Sequence, residues 1–229
     1  MSSHSGILMS NVLMISYISS LLGTVWFLVI FYVLGGIKLV PHVLVGAVVA
    51  SIFGSCIVSS TYDAYYKAIG LKDLFLASPL SSIEFRFGIA LGYLIPTFIQ
   101  ATPYLILLFI FSKPSIYSVP LMALLIIVLW LIAVLTGYMI PSTDFMSLGP
   151  RISLVSKILT MIPPIYYPLD ILPMYVRPLA YIAPTFNISE LMKIVLGIVP
   201  AQVDHVLKCT MSLLVETIII LYLIYNKKE

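Results

Sequence analysis

Long apolar stretches separated by short polar ones run along the whole chain. A membrane-spanning helix needs about 20 apolar residues, and six stretches reach or approach that length: Ile15–Ile37, Val43–Thr61, Gly88–Phe111, Val119–Ile140, Phe145–Tyr167 and Val206–Tyr225. Their apolar residues run continuously instead of alternating in short strands, which favours helices over a barrel. The pattern predicts an all-α integral membrane protein with six transmembrane helices in a single domain, residues 1–229.

The fifth stretch is the weakest, because Arg151 and Lys157 lie in its first half and Pro163-Pro164 near its end. The outer segment that follows, 168–205, is still apolar but carries five prolines. That pattern suits two short helices that dip into the outer half of the membrane or lie on it. Any irregular backbone there must pack against the spans, because lipid cannot satisfy its polar groups.

Composition supports a membrane protein and excludes an ordinary soluble domain. Hydrophobic residues make up 61% of the 229 residues and charged residues only 9%, against about 25% charged in soluble domains. The net charge is +3, and we expect membrane lipid around the chain but no nucleic-acid partner. Cys56 and Cys209 are expected at different depths of the membrane, too far apart for a disulfide.

The basic residues indicate the orientation. With six spans and the N-terminus inside, seven of the twelve basic residues face the cytoplasm and five face outwards. The inner group is Lys67, Lys72, Arg86, Arg151, Lys157, Lys227 and Lys228, and the outer group is Lys38, Lys113, Arg177, Lys193 and Lys208. The excess of positive charge inside predicts a multi-pass protein of the cell membrane with both termini in the cytoplasm.

One segment, 62–86, interrupts the apolar pattern with charged residues interleaved with leucines and aromatic residues. A charge at the centre of a bilayer costs roughly 3 kcal/mol, so the segment is expected at the membrane surface. Ser78-Pro79 predicts a helix end, because a residue before proline disfavours helical dihedrals. Ser81 and Glu84 have capping-box spacing immediately before the third span. The predicted shape is a helix, a tight break and a second helix that enters the membrane. An ordinary interfacial helix that merely connects two spans is the alternative.

Two motifs carry a family resemblance. The stretch from Leu71 to Phe85, LKDLFLASPLSSIEF, resembles the segment after the second span in permeases of the ABC type 2 class of ATP-binding-cassette exporters. The stretch from Ile165 to Thr185, with its Leu-Pro pair, basic residue and later Pro-Thr, resembles the family's stretch after the fifth span. The family's usual Asn-Pro before the last apolar stretch is Ala183-Pro184 here.

The resemblance implies a permease subunit that pairs with a second permease subunit, normally as a homodimer, and couples to a separate ABC ATPase subunit. It implies that Tyr62–Ala77 is a coupling helix that enters a groove of the ATPase. The implied contacts are apolar residues in the groove and polar residues at its rim: Leu71, Leu74, Phe75 and Leu76, with Lys72, Asp73 and Glu84. ATP and Mg²⁺ would bind to the partner, and no cofactor to this chain.

The residues themselves favour a protein that is not an enzyme. The sequence has no Gly-x-x-x-x-Gly-Lys-Ser/Thr phosphate loop, so ATP hydrolysis needs another polypeptide. It has no His-Glu-x-x-His pair, and His4, His42 and His205 are scattered, so no metal site is expected. An ATP-independent carrier, or a membrane protein that only binds a partner, remains the alternative.

Two polar residues inside the predicted spans are candidates for a substrate path. Glu216 lies near the middle of the sixth span, where an ionisable group usually faces the bundle interior or a cavity. It could contact a cationic or polar substrate, or serve as a hydrogen-bonded helix contact. Gln100 lies in the third span between Pro96 and Pro103, in a stretch expected to be kinked, with either a structural role or a role in motion.

Overall fold

The structure, a computed structural model, describes Leu22, Val25, Trp26 and the ranges 28–77, 80–140 and 145–226. This part of the chain contains helices and no strands. The helices are α1 (Leu28–Lys38), α2 (Val40–Ile57), α3 (Ser59–Ala68), α4 (Leu71–Leu76), α5 (Ser82–Gly92), α6 (Leu94–Ser112), α7 (Ser118–Met139), α8 (Phe145–Met161), α9 (Arg177–Ala180), α10 (Pro184–Val195) and α11 (Val203–Asn226).

Four helical stretches in the described part are long and apolar enough to cross a membrane. They are Val40–Ala68, which joins α2 and α3, Ser82–Ser112, which joins α5 and α6, Ser118–Met139 and Val203–Asn226. They include the second, third, fourth and sixth predicted spans. Residues 15–21, 23, 24 and 27 of the first predicted span lie outside the described residues, as do Ser78-Pro79 and the residues 141–144. The apolar helix α1 is the described end of that first stretch.

Helix α2 lies at the centre of the bundle. Its side chains are buried on nearly every side, including Leu44, Ile52 and Phe53, and it packs against α6, α7, α8 and α10. Helix α11 is the opposite case, since only 11% of its most apolar window is buried. A long, mostly apolar helix that is largely uncovered by protein suits a lipid environment.

The fifth predicted span, Phe145–Tyr167, is shorter in the structure. Helix α8 ends at Met161 after 17 residues, a length of about 26 Å against a hydrocarbon core of about 30 Å. The chain then continues without helix through Pro163-Pro164, because proline lacks the N–H group that would extend the ladder. The irregular backbone that follows is buried at Ile165 and Tyr166.

This buried backbone packs directly on α2 at a glycine. A Cβ placed on Gly46 would lie 2.9 Å from the carbonyl oxygen of Ile165 and 2.6 Å from Cδ1 of Tyr166. A second close approach joins α7 to the end of α2, where a Cβ on Gly137 would lie 2.5 Å from the carbonyl oxygen of Ile57. Glycine at both positions lets backbones approach as closely as the packing of membrane helices requires.

The outer segment 168–205 contains two short helices, α9 and α10, and a 3-10 turn at Leu169–Ile171. Helix α10 begins at the proline of Ala183-Pro184, a residue suited to the first helical position. It is almost wholly buried and packs against α2, α7, α8 and α11. Helix α10 is therefore part of the packed core, whereas Met174 and Tyr175 earlier in the segment are exposed.

We expect Gly46→Ala to destabilise the fold by about 1–3 kcal/mol, because the added methyl group overlaps backbone that cannot move aside cheaply. The measurement is thermal unfolding of the purified protein in detergent. Gly88→Ala is the matched control, since Gly88 also lies inside a helix but its Cβ would meet nothing within 4 Å. The control should be neutral or more stable by up to about 1 kcal/mol. Equal melting temperatures for the wild type and Gly46→Ala would contradict this packing.

Candidate functional site

The segment 62–86 folds as a helical turn-back at one end of α2. Helix α3 continues almost directly from α2 and ends at Ala68. Gly70 follows with a φ of +73°, a left-handed conformation that favours glycine and lets the chain reverse into α4. The single coupling helix expected over Tyr62–Ala77 is therefore two helices in the structure, and the physical reason is this glycine.

The start of α5 confirms the predicted capping box. The Ser81 hydroxyl accepts a hydrogen bond from the backbone N–H of Glu84 at 3.2 Å, and the Glu84 carboxylate accepts one from the backbone N–H of Ser81 at 2.7 Å. These two bonds satisfy N–H groups that a helix start otherwise leaves unpaired. Glu84 is therefore occupied in its own chain, although its side chain is exposed.

Asp63 joins the three helices of this segment by ionic contacts. Its Oδ1 lies 2.9 Å from Nζ of Lys72 on α4, and its Oδ2 lies 3.1 Å from Nε of Arg86 on α5. The side chains of Asp63 and Lys72 are only 12% and 10% exposed, so the pair is screened by water much less than a surface pair. The Arg86 guanidinium also lies over the ring of Tyr138 on α7, 5.5 Å from its centroid.

An aromatic cluster supports the same arrangement. Phe85 on α5 lies 5.4 Å from Phe75 on α4 and 6.1 Å from Tyr66 on α3, measured between ring centroids. These separations are typical of favourable aromatic contacts. With Asp63, they make α3, α4 and the start of α5 a preformed unit, which we name the docking unit, residues 59–77 and 80–86.

The docking unit exposes part of the apolar sequence that was expected to contact a partner. Leu74 is 72% exposed and Phe75 is 42% exposed, while Leu76 is also exposed and Leu71 is half-buried. Asp73 is exposed beside them. Lys72 differs from the expectation of a rim contact, because its side chain turns inward to Asp63 and is buried. The sequence could not show this, since the pairing depends on the reversal at Gly70.

A cavity of about 640 Å³ lies between the docking unit and α8, within the range of typical ligand pockets. Helix α3 contributes Thr61, Tyr62 and Tyr65 to its wall, and α8 contributes Ser153, Ser156 and Lys157. Its remaining lining comes from the end of α2 and the residue that follows it, and from α8: Gly54, Val58, Met146, Gly149 and Ile152. The cavity combines apolar surface with hydroxyl groups and one cationic side chain, and the sequence pattern gave no signal for it.

The structure separates the two candidates for a substrate path and places both away from this cavity. Gln100 accepts a hydrogen bond of 2.6 Å from the Ser55 hydroxyl and so joins α6 to α2. Glu216 accepts a hydrogen bond of 3.3 Å from the Asn187 side-chain amide and so joins α11 to α10. Its other carboxyl oxygen is buried and has no hydrogen-bond partner among the residues that the structure describes. Neither residue lines the cavity.

A buried polar network surrounds α10, and the sequence pattern did not predict it. Glu190 and Lys193 are 1% and 0% exposed, and their carboxylate and ammonium groups lie 2.7 Å apart. Burial lowers the pKa of Lys193, and the neighbouring Glu190 carboxylate opposes that shift. His205 on α11 lies 3.2 Å from the other Glu190 oxygen and 2.8 Å from the Tyr181 hydroxyl. The i,i+3 spacing of Glu190 and Lys193 on one helix was the available signal.

This network fastens α10 to its neighbours instead of forming an open site. The Lys193 ammonium also donates a hydrogen bond to the carbonyl of Tyr167 at 3.2 Å, and the Ser118 hydroxyl on α7 donates one to the carbonyl of Val195 at 2.8 Å. Buried charges are tolerated when they are paired and hydrogen-bonded. We therefore interpret the network as structural.

In comparisons with known proteins, no protein-family model and no curated protein matches the chain.

We expect Asp63→Asn to loosen α4, because the buried ammonium of Lys72 loses its counter-charge. The free energy that holds α4 in place should fall by about 1–3 kcal/mol. This is below the range for fully buried ion pairs, because water reaches part of this pair. Hydrogen exchange measured by mass spectrometry should become faster over residues 71–76, while the core helix α2 keeps its protection. Asp73→Asn is the control, since Asp73 is on the same helix but exposed. Unchanged exchange in α4 would show that Asp63 does not hold the docking unit together.

Proposed function

We propose that this chain is the permease subunit of an ATP-driven exporter of the ABC type 2 class. In this proposal it acts as a homodimer, or paired with a similar subunit, and is driven by a separate ABC ATPase. The observation that carries the proposal is the docking unit, a preformed helical turn-back that presents exposed leucine and phenylalanine side chains at one end of a membrane-type bundle. The LKDLFLASPLSSIEF motif, whose resemblance to the family is the reason for naming it, lies in this unit.

The exposed residues of α4 support a protein partner. Leu74 and Phe75 extend from a short helix whose exposed surface also carries Asp73, so the apolar side chains sit beside a charge that suits a water-facing position. The ionic contacts of Asp63 and the rings of Phe75 and Phe85 hold this helix before any partner binds. A preformed surface loses less conformational entropy on association than a flexible loop.

The connections of the docking unit supply a route for mechanical coupling. Helix α3 extends the central helix α2, and α5 leads directly into α6. Force applied to α4 by a closing ATPase would reach both long helical stretches, through Asp63 and its partners Lys72 and Arg86. The cavity wall at Tyr62 and Tyr65 would move with the same unit. In this proposal, reorganisation of the spans then opens an outward path.

Energy must come from outside the chain in this proposal. The sequence contains no phosphate-binding loop, and the backbone cradle of such a loop is what holds nucleotide phosphates in ATPases. The ATP–Mg²⁺ complex would therefore bind only to the partner. An ATP-independent carrier, or a membrane protein that binds a partner without transport, would need no such ATPase.

We expect Leu74→Asp to abolish stable association with an ABC ATPase from the same organism when the two are co-expressed. A carboxylate placed in an apolar groove costs several kcal/mol, which corresponds to at least a 100-fold loss in affinity. Co-purification and substrate-stimulated ATP hydrolysis are the two measurements. Met174→Asp is the matched control, because Met174 is equally apolar and exposed but lies in the outer segment. If no ABC ATPase co-purifies with the wild-type chain from its native membrane, the proposal fails in favour of the alternatives.

The proposed orientation predicts opposite accessibility for two single cysteines. Asp73→Cys in the docking unit should be protected from an impermeant thiol reagent added to intact cells, while Tyr175→Cys in the outer segment should react. Both native cysteines are buried and give a low background. Permeabilised cells provide the control, since both positions should then be labelled. Labelling of position 73 from outside would place the docking unit away from any cytoplasmic ATPase.

A further inference from the structure

We propose that the cavity between α3 and α8 binds an amphiphile with an apolar chain and an anionic group, whose charge is held by Lys157. The cavity has the volume of a small-molecule pocket, about 640 Å³. The further statement that this molecule is the cargo of the exporter rests on the proposed function. The binding itself is independent of that function, because the cavity is formed by this chain alone.

The apolar part of the cavity is suited to a hydrocarbon chain. Val58, between α2 and α3, and Ile152 on α8 supply branched side chains, and Gly54 and Gly149 leave space where larger residues would stand. A Cβ on Gly149 would meet no atom within 4 Å, and a Cβ on Gly54 would meet only the Ser156 hydroxyl at 3.5 Å. Burial of an apolar chain here is favoured by the hydrophobic effect, at about 25 cal/mol for each Å² removed from water.

The polar part of the cavity is suited to an anion. Lys157 is exposed and has no ion-pair partner among the residues that the structure describes. No residue in the described lining carries a carboxylate that could neutralise it. The hydroxyl groups of Ser153 and Ser156 stand on the same helix as Lys157 and can donate hydrogen bonds to an anionic group. A cationic ligand would be repelled by the lysine.

The position of the cavity links it to the docking unit. Tyr62 and Tyr65 line the cavity from α3, and Asp63, between them in sequence, holds α4 and α5. A displacement of the docking unit therefore changes the shape of the cavity through the same helix. This juxtaposition lets a partner at α4 alter the affinity for a bound amphiphile.

The test is photo-crosslinking of the purified chain in nanodiscs of zwitterionic phosphatidylcholine, without any ATPase. The probe is a long-chain carboxylate with a diazirine on its chain, and the labelled peptides are identified by mass spectrometry. Label is expected on peptides from α3 and α8. An unlabelled carboxylate of the same chain length should compete, while the corresponding neutral alcohol should compete roughly tenfold less well, as expected for loss of a hydrogen bond to a charged group.

Two variants and one control test the site itself. Gly149→Phe fills the open space and should abolish labelling of α3 and α8. Gly88→Phe should leave labelling unchanged, because Gly88 lies in α5 outside the lining and its Cβ also meets nothing within 4 Å. Lys157→Gln changes an exposed side chain, so folding should be preserved, and it should remove the preference for the carboxylate over the alcohol.

The outcomes are decisive. Undiminished labelling in a folded Gly149→Phe variant, or label confined to other helices, would overturn the site. Equal competition by alcohol and carboxylate in the wild type, or an unchanged preference in Lys157→Gln, would overturn the anionic class. Addition of phosphatidylglycerol to the nanodisc identifies the source: suppressed labelling assigns the site to a membrane lipid, and persistent labelling to a free amphiphile. Failure of the ATPase to associate would refute the exporter proposal and leave this binding result intact.

Discussion

Helix α2 is enclosed by α6, α7, α8 and α10, and this enclosure requires neighbouring backbone to come unusually close. Gly46 admits the non-helical backbone at Ile165, and Gly137 admits the carbonyl oxygen of Ile57. In a membrane there is no water to hydrogen-bond an irregular segment, so the residues after α8 must be covered by protein. The close approach at Gly46 covers this segment at Ile165, and the buried helix α10 also packs on α2. The packing of the bundle core therefore depends on how closely neighbouring backbone can approach α2.

The two ends of α2 use polar groups in different ways. At one end, the buried Glu190–Lys193 pair and the half-buried His205 fasten α10 to α11. At the other, Asp63 holds α4 and α5 to α3, with Lys72 buried and Arg86 34% exposed. Buried charge networks at the first end favour a single fixed packing. The second end combines a fixed internal arrangement with exposed leucine and phenylalanine, which is the combination that docking to a partner requires.

The proposed coupling between a partner and the cavity would depend on this difference between the two ends of α2. The docking unit touches the cavity wall through Tyr62 and Tyr65, whereas Gln100 and Glu216 are engaged in contacts between helices elsewhere in the bundle. A ligand in the cavity and a partner on α4 would therefore act on the same short helix, α3. Coupling between two sites needs an element whose position both can bias. In the proposal, helix α3 would be such an element, and it continues from the buried helix α2.

The amino-acid sequence determined the features that depend on local physics. Runs of apolar residues predicted the four long helical stretches of the described part, Ser81 and Glu84 predicted the start of α5, and Pro163-Pro164 marked the weak point of the fifth stretch, where α8 ends.

Tertiary structure alone decided the rest. The reversal at Gly70 turned Lys72 inward to Asp63, and the packing of α10 brought Glu190 and Lys193 out of contact with water. The cavity is bounded by the consecutive helices α2 and α3 and by α8, which lies far from them in the chain. Local periodicity shows which face of a helix is apolar. Ion pairs between helices and the cavities between them depend on how helices far apart in the chain pack together, and no local sequence pattern specifies that packing.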